Sequence, residues 1–101
     1  MKELLSKVRE IASKIDAAGK PFLAVQINIQ GEGPFYVEVK DGKINVEPYE
    51  YNDRNCAITI SKDDFYKLIA GKLDPVKAFM TGKLKVDGDV GKALDFSRLI
   101  K

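Results

Sequence analysis

The sequence predicts an α+β domain, and three observations carry that reading. The first stretch has apolar residues at helical spacing. Three runs of strict apolar/polar alternation follow, joined by short turns. The second half then alternates strand and helix signals, with helix-start chemistry before each helix. One domain is expected over residues 1–101, because a chain of 101 residues fits a single core of the usual size. The apolar share of 45% and the charged share of 32% are those of an ordinary globular protein rather than a disordered one.

Leu4, Leu5, Val8, Ile11, Ala12 and Ile15 form one apolar stripe, and Gly19 and Pro21 are expected to end that helix. Residues 22–30 alternate, with Leu23, Val25, Ile27 and Ile29 on one side and Ala24, Gln26 and Asn28 on the other. Gly31-Glu32-Gly33-Pro34 reads as a turn, after which Phe35, Val37 and Val39 alternate with Tyr36, Glu38 and Lys40. Asp41-Gly42 is a two-residue hairpin signal, since both central residues of a type I′ turn need positive φ. Ile44 and Val46 continue beyond it, which makes a three-stranded antiparallel meander. Its second face is polar, so solvent is expected there and helices on the other side.

Residues 48–55 read as a connection to a fourth strand carrying Cys56, Ile58 and Ile60. Ser61 and Asp64 have capping-box spacing for a helix whose apolar face is Phe65, Leu68 and Ile69, stopped at Gly71. Asp74-Pro75 starts a short helix with Val76, Ala78, Phe79 and Met80, ending at Gly82. Leu84 and Val86 make a fifth strand, and Gly88-Asp89 opens a last helix carrying Val90, Ala93, Leu94, Phe96, Leu99 and Ile100.

Several chemistries are excluded. The chain has no histidine, so no imidazole activates a serine or cysteine nucleophile, and a zinc site lacks its ligands. Cys56 has no disulfide partner and sits on an apolar strand face, where a thiol is inert. The carboxylate pairs Asp63/Asp64 and Asp87/Asp89 lie at predicted helix starts and read as caps. In residues 86–93, Val86 and Ala93 stand where a phosphate loop needs glycine and a hydroxyl. Seventeen basic against fifteen acidic residues leave a net charge of +2, far from a nucleic-acid footprint. Lys62, Lys67, Lys72, Lys77, Lys83, Lys85 and Lys92 thicken toward the second half, where they either solvate a face or meet anionic headgroups transiently. With no signal-like segment and no long apolar run, a cytoplasmic place is expected.

The segment from Cys56 to Asp89 resembles the sterol carrier protein family of non-specific lipid-transfer domains. The residues that carry the resemblance are Asp64-Phe65, Gly71, Leu73-Asp74-Pro75, Ala78-Phe79-Met80, Gly82-Lys83-Leu84 and Gly88-Asp89, in the family's order and spacing. It implies a five-stranded mixed, mainly antiparallel sheet with helices covering one face. It also implies non-enzymatic binding of a fatty acid, fatty acyl-CoA, phospholipid or sterol-like molecule in an apolar tunnel between sheet and helices, with no cofactor and no metal. Carried over by position, the tunnel is lined by Phe65, Leu68, Ile69, Leu73, Val76, Phe79, Met80, Leu94 and Phe96. The competing expectation is an interaction or dimerisation module of the same fold without a cavity. An empty cavity of ~300 Å³ at ~24 cal/mol per Å³ costs ~7 kcal/mol, so the tunnel is expected to be filled, or partly collapsed with the last helix as its movable wall. Ser97-Arg98-Leu99 has the look of a peroxisomal tripeptide, but Ile100 and Lys101 follow it.

Overall fold

The computed structural model describes residues 1–100; Lys101 lies outside them. The elements run α1 (Lys2–Ser13), β1 (Leu23–Ile29), β2 (Gly33–Lys40), β3 (Lys43–Glu47), β4 (Cys56–Ile60), α2 (Lys62–Ile69), α3 (Pro75–Met80), β5 (Leu84–Gly88) and α4 (Val90–Leu99). One sheet forms in the order β3-β2-β1-β4-β5. Only β1 and β4 are parallel; the other three pairs are antiparallel. This is the mixed, mainly antiparallel sheet that the resemblance implies, within the α+β fold that the residue pattern predicts.

Register decides where the core lies. Val25 pairs with Val37 and Cys56, Ile27 with Phe35 and Ile58, and Ile58 with Val86, so the apolar residues of all five strands share one face. Val46 pairs with Val37 on that same face. The helices cover it: Leu4, Leu5 and Val8 of α1, Phe65 and Leu68 of α2, Ala78 of α3, and Ala93 and Phe96 of α4 join one core cluster. Phe65 meets Phe35 edge-to-face with ring centroids 5.7 Å apart, a contact worth ~0.5–1.5 kcal/mol beyond area burial.

The local signals form as expected. Asp41 and Gly42 take φ of 53° and 75° in the hairpin. Ser61 Oγ accepts from the Asp64 amide at 3.1 Å, and Asp74 Oδ1 from the Val76 amide at 2.9 Å. Asp89 Oδ1 likewise accepts from the Lys92 amide at 3.1 Å. Helix α1 stops at Ser13, short of Gly19 and Pro21. The cause is local: Ser13 Oγ donates to the Glu10 carbonyl, and Asp16 accepts from the Ala18 amide in an Asx turn that diverts the chain.

The expectation of a solvated second face needs correction. The β3–β4 connection has to pass β2 and β1 to reach the parallel strand, and it crosses over the polar face. Tyr51 packs edge-to-face on Tyr36 at 5.0 Å, its amide donates to Gln26 Oε1 at 3.1 Å, and its hydroxyl donates to Glu38 at 2.6 Å. Asn55 secures the end of this strap: its amide donates to the Ala24 carbonyl, and its side-chain oxygen accepts from the Ala24 amide, both at 2.8 Å. Ala24, Gln26 and Ala57 are buried as a result.

The Tyr51–Glu38 bond has a pH signature. The hydrogen bond to Glu38 and then burial push the Tyr51 phenol up from 10 to about 12. A raised folded-state value means the contribution is full below pH 10 and is lost as pH rises toward about 12. Bonds from Tyr51 and then Asn45 lower the Glu38 carboxyl, so its contribution is full above the ordinary carboxylate range and disappears as pH falls through the lowered value. In an absorbance titration, Tyr51→Phe is expected to remove a phenolate that appears near 12. A native protein whose tyrosines all ionise together near 10 would rule the bond out.

Candidate functional site

Helix α4 lies over the apolar face and packs on β1, β4, β5 and α3. Its placement follows from its start. Gly88 has φ of 105°, and a Cβ there would sit 2.8 Å from the Asn55 carbonyl oxygen, so only glycine lets β5 run this close to the strap. The Asp89 amide donates to that same carbonyl at 3.1 Å, and the Asp89 side chain caps the helix. The rest of α4 is held by burial of Ala93, Phe96, Ser97 and Ile100. Ser97 Oγ has no need of an external partner, since it donates to the Leu94 carbonyl at 2.7 Å.

Each flank of α4 has an opening. Toward α3 and β5 is an apolar cleft lined by Phe79, Leu84, Val86, Val90, Ala93 and Leu94, with Pro75 and Ser97 at its ends. It is nearly shut, holding about 10 Å³, where a ligand site needs ~300 Å³ or more. The tunnel that the resemblance implies is therefore not open at this cleft. On the opposite flank is a groove of about 370 Å³. Its floor is Phe22, Leu23, Val39 and Leu99, and Lys20, Lys92, Arg98 and Asp95 rim it. Arg98 is 4.0 Å from Asp95, a pair exposed enough to be weak. Apolar floor and cationic rim together suit an anionic head on an apolar body.

The nine residues expected to line a tunnel separate into three sets. Phe79 and Leu94 line the cleft. Phe65, Leu68 and Phe96 are buried in the core, with Phe96 beneath α4 itself, while Ile69 and Leu73 pack against the core partly buried. Val76 and Met80 do neither; they stand on the outer side of α3, 47% and 81% exposed. The groove residues Lys20, Phe22, Leu23 and Val39 were not anticipated. The available signal was Phe22, a large apolar residue directly after Pro21 that is left 43% exposed.

Cys56 is buried on the core face, where burial first and Asp89 second push its thiol up to about 11. It is a protonated core residue at neutral pH. Asp63 and Asp64 stand in the first turn of α2, and Asp74 and Asp89 cap α3 and α4, whereas Asp87 lies on β5 opposite Ala57 of β4, within a strand and not at a helix start. Among the described residues no three His, Cys, Asp or Glu side chains gather as a metal site, and no helix is long and apolar enough to cross a membrane.

A five-stranded mixed sheet whose apolar face is roofed by helices, with apolar openings beside the last of them, defines a small α+β domain. The model of the SCP-2 sterol transfer family matches residues 2–101, and the chain belongs to that family. Human Sterol carrier protein 2 is 34% identical over 101 residues, a match covering 90% of this chain and 18% of the human one. The match thus spans between about an eighth and a fifth of the length of the curated relatives. Among solved structures, the stereoselective inverting sec-alkylsulfatase Pisa1 from Pseudomonas sp. superposes with a TM-score of 0.80 at 20% identity, over 91% of this chain and 15% of that one. Palmitated SCP2L2 from Aedes aegypti superposes with a TM-score of 0.74 at 19% identity, over 99% of this chain and 93% of that one. Both likenesses are of fold.

Proposed function

We infer that this chain is a single non-enzymatic carrier domain that holds a lipid under α4, the apolar part entering the cleft beside Phe79 and Leu94. The cargo is a fatty acid, fatty acyl-CoA, phospholipid or sterol-like molecule. One observation carries this reading: α4 has incompletely covered apolar side chains on both flanks, Phe79 and Val90 on one and Phe22 on the other. Membership of the SCP-2 sterol transfer family supports it, as does the fatty acid in the Aedes aegypti relative. In this reading α4 swings away from the sheet to admit the chain, and Lys20, Lys92 and Arg98 stand beside the head when it is anionic. The cytoplasm is the proposed setting.

The test is native mass spectrometry of the purified protein, followed by titration with a fluorescent fatty acid. Co-purified lipid or saturable binding is the expected result. Phe79→Asp places a charge in the cleft wall and is expected to weaken binding at least ~30-fold, since burying an unpaired carboxylate costs several kcal/mol. A second reading, an interaction module of the same fold, is favoured by the near-closure of the cleft. No adduct and no saturable binding by the parent protein would establish it in place of the carrier.

A further inference from the structure

We propose that the outer face of α3 is a docking surface for an anionic lipid bilayer. Helix α3 turns Pro75 and Ala78 inward, where both are buried. Its other side presents Val76 at 47%, Phe79 at 37% and Met80 at 81% exposure. Spacings of three and four residues place these three side by side. Val76 and Met80 do not line the cleft, so their exposure has no explanation in the cargo site.

Charge selects the occupant. Lys72, Lys77 and Lys83 are exposed around α3, and none is in an ion pair among the described residues. Residues 72–83 contain these three of the seventeen cations and one acid of the fifteen, Asp74, leaving fourteen of each sign elsewhere. Residues 72–83 thus carry a local excess of two positive charges. The one acid there is engaged in capping, accepting from the Val76 amide at 2.9 Å. Three partly exposed side chains fall well short of the ~800 Å² per partner that a stable protein complex buries. A few apolar side chains inside a ring of lysines instead fit shallow insertion among headgroups, with the cations held at the anionic surface. Met80 suits this role because its unbranched thioether adapts to irregular surroundings.

The surface extends the carrier reading: Phe79 borders both the patch and the cleft, so docking puts the cleft mouth against the bilayer. The experiment is sedimentation of the full chain with vesicles of phosphatidylcholine, with and without phosphatidylglycerol. Binding is expected on the anionic vesicles only and is expected to fall as salt is raised. Met80→Glu is expected to weaken it about tenfold or more, and Lys77→Ala or Lys83→Ala about fivefold each. All three positions are exposed, so circular dichroism should show an unchanged fold. Equal partition onto both vesicle types, or undiminished binding by Met80→Glu, would overturn the proposal. So would a concentration-dependent dimer lost in Met80→Glu, which would assign the face to a second copy. Fluorescent fatty acid binding without vesicles is measured in parallel, and Met80→Glu is expected to retain it. Docking by a parent protein that binds no fatty acid would sink the carrier reading alone; fatty acid binding without docking would sink this surface alone.

Discussion

Fatty acids shorter than about eight carbons are expected to leave the protein unbound and its melting temperature unmoved, while each methylene beyond that tightens binding roughly fourfold. The threshold comes from α4. Swinging this helix off the sheet uncovers Phe96 and Ile100, both now buried, at ~1.5–3 kcal/mol each. A chain entering beneath it returns ~0.8 kcal/mol per buried CH₂, so roughly four to eight methylenes only offset the opening. Affinity accrues after that. Displacement of a fluorescent fatty acid by a saturated series gives the slope directly. Tight binding of a very short acid, or affinity independent of length, would mean that cargo lies on an open surface and α4 stays in place.

Phe96→Ala is expected to lower stability by ~3–5 kcal/mol and yet to bind long fatty acids more tightly than the parent. The two signs share a cause. Truncation leaves a void between α4 and the sheet, which costs folding free energy, but the same void removes part of the work of lifting α4 and offers volume to an acyl chain. Phe65→Ala is the comparison. Its ring is equally buried, packs on Phe35 under α2, and does not line the cleft beside α4. A stability loss of similar size is expected there, with no gain in affinity. Denaturant melts with and without ligand separate the outcomes; weaker binding in both variants would show that α4 is simply part of a rigid core.

What was legible in the sequence was local. The Asp41-Gly42 hairpin, the caps at Ser61, Asp74 and Asp89, and the alternation in each strand depend on neighbours a few residues away, and all form as read. The end of α1 was missed for an equally local reason, because Ser13 and Asp16 bond their own backbone before Gly19 is reached. Family resemblance implied a mixed sheet but not which strands run parallel, and the β1–β4 pair was not legible, since alternation is the same in parallel and antiparallel strands. The strap over the polar face was invisible, because Tyr51 meets Glu38 and Gln26 only once the chain has crossed the sheet. The site divides in the same way. Periodicity marked Phe79, Leu94 and Phe96 as apolar but did not distinguish wall from core, and the groove of Lys20, Phe22, Leu23, Val39 and Leu99 draws on three distant segments.

The Asn55 carbonyl lies 2.8 Å from where a side chain on Gly88 would begin, and it also receives the Asp89 amide. The root of α4 is thereby fixed to the strap that is itself tied to Ala24 on β1. In the carrier reading, the helix opens like a door on one hinge. Its two flanks are the two sides of that door, and a single swing merges them into one chamber. In that reading one cargo molecule per chain is expected, because cleft and groove become a single space once the helix has swung.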